Sequence, residues 1–424
     1  MESPSDLDTA HDTVSAQKII PESPLSDVGS GKKDLASDFL NRALSLFGQG
    51  SYHGMTDLLL ESLDYTERAL ELDPQYYDAW QLKVSILNTI GRDNPKHLEG
   101  ALQASERALA IRPEQASMWF NRAGILESLG RYGEAVTAYD HSLSYSSNEP
   151  MRIGVILMKK GAVLEVIGRD TEALQIYENV PVQDRFFGDA MEKKAGLLEK
   201  TGDQDLMISA LRTASMTYLK DGQYEKAIEV FNRLIGYISD DEEIIYNKGV
   251  ASIALYEKTQ SKHYLEDALS SFESALRIQP GNITYLIQKG RCLLDLGRFE
   301  EGLQSLDRAL WINPSDGITL MNKGIALYQL SRQEEALKYF NLVCSHYPED
   351  GAPWMMKSRI HLDKKEYDVA LSEIDLALGK SPEDSRAWEQ RKIILRALGR
   401  EEEAQAAEER IQILAKSSMD NRFV

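Results

Sequence analysis

Four prolines recur at equal intervals along the second half of the chain: Pro280, Pro314, Pro348 and Pro382. Each lies between two helix-forming runs. This placement suits proline, which interrupts a helix but fits in a connection or a first helical turn. A fixed period of about 34 residues is typical of helical solenoids, in which each repeat buries its apolar face only against its neighbours. The spacing therefore predicts a stack of helix pairs rather than one globular core.

The helix before each proline carries a repeated apolar pattern. Before Pro280, a small residue lies at Ala275, a bulky one at Phe272 and a small one at Ala268, and similar classes precede the other three prolines. Spacings of three and four residues place these side chains on one helical face. We therefore expect close packing of this face against a neighbouring helix.

The preceding helix contains a glycine at a repeated position, occupied by Gly249, Gly290 and Gly324. Glycine inside a helix costs up to about 1 kcal/mol relative to alanine. Its recurrence indicates that no side chain fits where the two helices cross.

The repeats resemble the tetratricopeptide family. The best match is SMWFNRAGILESLGRYGEAVTAYDHSL, which supplies the family's consensus at Trp119, Ala123, Leu126, Gly130, Tyr132, Ala135 and Tyr139. The resemblance covers about residues 36–416. It implies an all-α fold, a right-handed superhelical solenoid of antiparallel helix pairs.

The pattern divides the chain into two repeat blocks between terminal segments. Residues 1–35 lack apolar periodicity and are predicted to be a disordered arm, and residues 419–424 are a tail. The N-terminal block, 36–207, comprises repeats 36–76, 77–115, 116–149, 154–187 and a partial 188–207. The C-terminal block, 208–418, comprises repeats 208–241, 242–282, 283–316, 317–350, 351–384 and a capping repeat 385–418.

The repeat pattern is irregular near the middle of the chain. Gly202 and Gly222 both resemble stops of a first helix, yet they lie too close together for a complete repeat to separate them. The stretch between them is predicted to be one helix that serves two hairpins. Pro181 ends the preceding helix early, so we expect a discontinuity at about 180–210.

Three repeats are longer than the common period, and the surplus precedes the second helix. The extra segments are SYHGMTDLLLES, GRDNPKHLEG and EKTQSKHYLED. We expect a longer inner turn, since loop extension costs little free energy. Projecting functional loops are the alternative.

The net charge of −19 disfavours nucleic acid and anionic membrane surfaces, which both attract basic proteins. It favours a basic protein segment as partner, although solubility alone also explains it. The N-terminus lacks a signal-peptide pattern and no stretch has the length of a membrane span. The expected location is cytoplasmic, without membrane insertion.

No sequence pattern for catalysis stands out. GSGKKD lacks the spacing of a phosphate-binding loop, and the seven histidines show no metal-ligand spacing. Cys292 and Cys344 are most simply core thiols. The sequence predicts no catalytic residue, metal or cofactor, and hence no enzyme.

The resemblance implies that the first helices of successive repeats line a concave surface that binds other proteins. The carboxylate-gripping type is disfavoured, because Glu243, Ser117 and Ile318 stand where that type has lysine. A scaffold or adaptor that binds a peptide or helix is therefore predicted, with an accessory or regulatory subunit of an enzyme complex as the alternative. The predicted groove residues are Phe120, Asn121, Asn247, Ile287, Gln288, Arg291, Met321, Asn322, Met355, Met356 and Arg359.

Overall fold

A computed structural model describes residues 30–91, 94–146 and 150–420. These residues form 21 α-helices and no strand, which confirms the all-α prediction. The chain divides into two compact units, which meet in sequence between Pro181 and Val182. Each unit is described by itself below.

The first unit is an array of four helix pairs. Its helices are α1 (Ser30–His53), α2 (Thr56–Leu72), α3 (Tyr77–Ile90), α4 (Pro95–Ile111), α5 (Ala116–Ser128), α6 (Tyr132–Tyr145), α7 (Pro150–Val166) and α8 (Asp170–Glu178). The helices of each pair pack together, and the second helix of a pair also packs against the first helix of the next. As predicted, α8 is short and ends before Pro181.

The second unit comprises thirteen helices. They are α9 (Phe187–Thr201), α10 (Gln204–Lys220), α11 (Tyr224–Tyr237), α12 (Glu242–Thr259), α13 (Lys262–Ile278), α14 (Ile283–Asp295), α15 (Phe299–Ile312), α16 (Gly317–Gln329), α17 (Gln333–His346), α18 (Ala352–Asp363), α19 (Tyr367–Lys380), α20 (Ser385–Ala397) and α21 (Glu401–Asp420). Pairs run from α12/α13 to α20/α21.

One helix of the second unit is shared between two neighbours. The stretch between Gly202 and Gly222 forms the single helix α10, as predicted, and α10 packs against both α9 and α11. The predicted block boundary at 207/208 falls inside this helix, whereas the compact units meet at 181/182. The packing is continuous across 207/208 because α10 contacts a helix on either side.

The ends of the array differ from the predicted arm and tail. Helix α1 begins at Ser30, so residues 30–35 belong to a helix and not to the arm. Residues 1–29 and 421–424 lie outside the described residues, whereas 419–420 close α21. Ala36 and Leu40 are the first buried side chains described in α1, and Leu40 belongs to a core cluster that α1 shares with α2 and α3.

The recurring glycines lie where helices cross, as predicted. A Cβ on Gly324 would stand 2.5 Å from the ring of Phe340, and one on Gly249 would stand 2.7 Å from the ring of Phe272. Gly290 meets Leu306 in the same way. The glycine thus makes room for the large side chain of the second helix.

The surplus residues of the long repeats lengthen helices, so the predicted long turns and projecting loops are wrong. Only residues 54–55 separate α1 from α2, and only residues 260–261 separate α12 from α13. In the third surplus segment, residues 95–100 belong to α4, where the Asn94 side chain caps the helix and Pro95 occupies the first turn. Leucine, glutamate and lysine in these segments favour helix over loop.

Three of the connections between repeats share the same hydrogen bond. A tryptophan early in the first helix donates its indole N–H to the carbonyl of a proline six residues earlier. The pairs are Trp80 with Pro74, Trp119 with Pro113 and Trp388 with Pro382. This bond explains why the aromatic and the proline recur together.

Ion pairs link five of the repeats to the repeat before. In these five, a basic residue of the first helix pairs with an acid of the preceding second helix at the same distance along the sequence. The pairs are Lys83–Glu67, Arg122–Glu106, Lys289–Glu273, Lys323–Asp307 and Arg391–Asp375. The constant spacing defines a regular series of inter-repeat ion pairs.

Candidate functional site

An open groove of the second unit runs along first helices near its C-terminal end. It has a volume of about 780 Å³ and is formed by α16, α18 and α20, with Ile411 of α21. Its lining includes Tyr328, Met355, Met356, Arg359, Gln390 and Ile393. Because it is open, the groove suits a segment of chain more than an enclosed small molecule.

The apolar lining of the groove is partly covered by the protein itself. Met355 packs against the core cluster of α19–α21, and Met356 packs against the cluster that contains Phe340 and Ile360. Ile393 is 43% exposed. The groove therefore exposes apolar surface, and its two methionines are held in place by packing against these core clusters.

The charged groups of the groove are already paired. Arg359 lies 3.6 Å from Asp363, which also accepts the Tyr328 hydroxyl at 2.5 Å, and Glu389 lies 2.6 Å from Lys392. Burial, followed by this bond to Asp363, raises the pKa of Tyr328. These pairs leave the charges of the lining largely compensated.

Arg386 forms a further pair at the start of α20. Its guanidinium lies 2.9 Å from Asp384, which caps the helix by accepting the Arg386 backbone N–H. The Arg386 guanidinium holds the pKa of Asp384 below its usual range. Asp384 therefore remains charged at neutral pH and fixes the position of Arg386.

The eleven predicted groove residues do not all meet in one place. Met355, Met356 and Arg359 line the groove of α16–α21. Phe120 and Asn121 line a separate cavity of about 260 Å³ in the first unit, formed by residues of α5–α7. Phe120 also makes an edge contact with the ring of Tyr139, with centroids 5.7 Å apart.

Three of the predicted groove residues, Ile287, Met321 and Met355, hold the same repeat position, and the first of them belongs to the core. Ile287 is only 8% exposed and belongs to the core cluster with Leu286 and Ala309. Met321 is half-buried against the cluster of Phe340. The three equivalent positions thus differ in how far the neighbouring side chains cover them.

The predicted polar residues occupy different environments. The Asn247 amide donates to the sulfur of Met216 at 3.6 Å, and Arg291 donates to Gln288 at 3.5 Å. The Asn322 side-chain nitrogen is buried and has no partner among the described residues.

Sequence reasoning missed the exposed apolar residues of the first helices. Ile318 is 63% exposed, and Met216 and Ile393 are each more than two-fifths exposed. The exposure of Ile318 could have been predicted, because this residue lies in the first turn of α16, before the first buried residue of that helix. An apolar residue at such a place has no neighbouring helix to cover it.

The described ranges hold no cluster of histidine, cysteine, aspartate and glutamate able to bind a metal ion. Nor does any described helix combine the length and apolarity needed to cross a bilayer. Cys292 is buried and Cys344 is half-buried, and neither forms a disulfide.

The two thiols should differ in reactivity. Burial raises the pKa of Cys292 to about 12 and also raises that of Cys344. Since the thiolate is the nucleophile, iodoacetamide under mildly alkaline conditions should modify Cys344 slowly and Cys292 hardly at all. Mass spectrometry before and after unfolding in urea would measure both rates. Labelling of native Cys292 as fast as in urea would contradict its burial.

Several solved structures are similar to parts of the chain. MamA from Desulfovibrio magneticus RS-1 is 18% identical over 42% of this chain and 96% of its own, with a TM-score of 0.38. PilF of Pseudomonas aeruginosa is 16% identical over 51% and 95%, with a TM-score of 0.40. A tetratricopeptide repeat protein from Parabacteroides merdae is 15% identical over 66% and 98%, with a TM-score of 0.35.

Models of the tetratricopeptide repeat match three stretches of the sequence. One matches residues 97–148 and 287–353, and another matches residues 213–241. These stretches fall on α4–α6, α14–α17 and α10–α11, in both units, and so on helices that pack in the pattern described above. The chain is a tetratricopeptide-repeat protein.

Proposed function

We propose that this protein is a non-catalytic scaffold or adaptor that binds a segment of another protein in the groove of α16–α21. Tetratricopeptide repeats support a role in protein interaction. We assign the binding site to this groove because of the residues that line it. Anchored methionines and the exposed Ile393 provide apolar surface, and the surrounding charges are compensated. An amphipathic helix or an extended segment is the kind of ligand that such a groove accepts.

Methionine supports a role in binding because its flexible side chain adapts to irregular apolar partners. Asn322 on α16 does not line this groove, and its side-chain nitrogen is buried, so the groove assignment does not depend on it.

A basic segment is the favoured ligand. The net charge of −19 attracts cations over long range, while the paired charges of the lining do not strongly repel either sign. We expect salt to slow association more than it raises the dissociation rate. The expected location of this binding remains the cytoplasm.

An accessory or regulatory subunit is the alternative function. In that case the bound polypeptide belongs to an enzyme, and its activity changes when this protein is added. The two functions share the groove and differ in the nature of the partner, so identifying the partner separates them.

Ile393→Glu should weaken partner binding by about tenfold or more, because it places a charge on exposed apolar surface in the groove. A photo-crosslinker at position 393 would first identify the bound polypeptide, whose affinity is then measured by calorimetry. Leu376→Glu is the matched control, because Leu376 is similarly exposed at 45% but lies on α19 outside the groove lining.

Both variants should fold, since each replaced side chain is already partly in water. Equal loss of binding in the two variants, or none in Ile393→Glu, would place the partner elsewhere.

A further inference from the structure

A second cavity of the second unit lies between α11, α12 and α13. It has a volume of about 270 Å³ and shares no lining residue with the groove of α16–α21. Two basic residues and four hydroxyls line it: Lys248, Arg277, Ser239, Ser270, Ser271 and Ser274. Isoleucines form the rest of its described wall, together with the aliphatic stems of the basic residues.

Lys248 holds the position from which other repeats form their inter-repeat ion pair. In Lys289–Glu273 and Lys323–Asp307, the acid precedes the lysine by the constant interval of the series. The residue at that interval before Lys248 is Asn232 on α11. The repeat therefore has the cation of the series without its carboxylate.

Lys357 shows an alternative ion-pair partner for a lysine at this position. The residue at the same interval before it is Asn341, and Lys357 pairs instead with Glu373 of its own second helix at 3.2 Å. The corresponding residue for Lys248 is Ser271, because Ala268 and Ala370 are equivalent in the repeat pattern. Both places from which a carboxylate could reach Lys248 thus hold neutral side chains.

Lys248 is consequently a half-buried residue whose ammonium forms no ion pair or hydrogen bond with any described side chain. Two carboxylates of α13 are committed elsewhere, since Asp267 lies 3.3 Å from His263 and Glu273 lies 2.9 Å from Lys289. A partly desolvated cation without a counter-ion is unfavourable. The site is therefore suited to an anion that the described residues do not provide.

The rest of the cavity suits a small oxyanion. Arg277 donates to Ser274 Oγ at 2.6 Å, and Ser274 in turn donates to the Ser270 carbonyl at 2.9 Å. This chain of bonds holds the guanidinium at the rim of the cavity, where its remaining N–H groups can donate. Lysine supplies a point charge and arginine a planar fork, the pair of groups that proteins commonly use on phosphate.

We infer that the Lys248–Arg277 cavity binds one phosphoryl group, either of free phosphate or of a phosphorylated serine in a peptide. A single phosphoryl group fits the volume, and the chain's net charge of −19 disfavours any longer polyanion. Binding at this cavity is independent of the groove proposed for a protein segment.

Calorimetric titration with inorganic phosphate and with N-acetyl-O-phosphoserine amide tests this inference at constant ionic strength. At about pH 7.5 the phosphoserine carries nearly two negative charges. Asn232→Asp is the sharpest variant, because it restores the carboxylate of the series to Lys248 while keeping both cations and the side-chain shape. It should reduce affinity by about tenfold or more without lowering the melting temperature.

Lys248→Met should reduce affinity to a similar extent, and Lys323→Met is its control at the same repeat position. Lys323 already pairs with Asp307, so its removal should leave binding within about twofold of the parent. Tighter binding of phosphoserine than of phosphate would identify a phosphorylated segment as the source, and equal binding would identify the free ion.

The inference is overturned if the parent binds neither probe. It is equally overturned if Lys323→Met loses as much affinity as Lys248→Met, or if Asn232→Asp binds as the parent does, because the interaction would then reflect general charge.

Discussion

Gly324→Leu should destabilise the second unit more than any other single change considered for this protein. Even a Cβ at this position would stand 2.5 Å from the fully buried ring of Phe340, which cannot move without disturbing Ile360 and Ala336. Overpacking of this kind costs about 1–3 kcal/mol, and the additional carbons of leucine place the cost at or above the upper end. A lower midpoint of urea unfolding, followed by circular dichroism, would measure the effect.

Gly196→Ala is the matched control for the glycine prediction. Gly196 lies in the middle of α9, and a Cβ there meets no atom within 4 Å. Alanine should therefore stabilise the helix by up to about 1 kcal/mol, whereas Gly324→Ala should already destabilise. If the two alanine variants shift the midpoint in the same direction, the glycine of the repeat is not a packing requirement.

Glu373→Gln should have the second largest effect, because it leaves a buried lysine without its counter-ion. Glu373 and Lys357 are both buried and lie 3.2 Å apart, and Glu373 also contacts His361 at 2.6 Å. Removing one partner of a buried ion pair costs about 3–5 kcal/mol. The Lys357 ammonium lies 4.1 Å from the centre of the Trp354 ring. This cation–π contact stabilises the charge, so we expect the loss of stability to be about 3 kcal/mol.

Glu349→Gln provides the comparison with an exposed pair. Glu349 accepts from Lys380 at 2.9 Å, but its side chain is mostly in water. Exposed pairs contribute about 0–1 kcal/mol, so the unfolding midpoint should hardly change. The double variant Lys357→Met/Glu373→Leu should recover much of the stability lost in Glu373→Gln, since it removes the unpaired charge. If Glu373→Gln is as harmless as Glu349→Gln, the buried pair is not required.

The helical register was predictable because the constraints that set it are local. A proline ends one helix near the start of the next, and a glycine in the first helix matches a large residue such as Phe340 in the second. Both signals lie within a single repeat.

The secondary structure of the surplus residues was not predictable from repeat length, since a longer repeat can extend either a turn or a helix. Asn94, which caps α4, is a helix-start signal in the sequence, but the length of the repeat alone does not reveal it.

The candidate site was harder to predict because exposure depends on the neighbouring repeat. Ile287 and Met355 hold the same repeat position, yet Ile287 is buried and Met355 lines the groove. Whether such a residue is covered depends on the size of side chains one repeat away. The unpaired Lys248 was equally invisible in a single repeat, because it becomes unusual only beside the ion pairs that the other repeats form.

Helix α10 limits how this protein could have changed its length over evolution. In the regular region, duplication or loss of one whole repeat joins equivalent surfaces and leaves an uninterrupted stack. Around α10 the helices do not divide into whole pairs, because α9, α10 and α11 are three helices that precede the regular pairs. We therefore expect the number of repeats to change more readily from α12 onwards, where whole pairs follow one another, than within α9–α11.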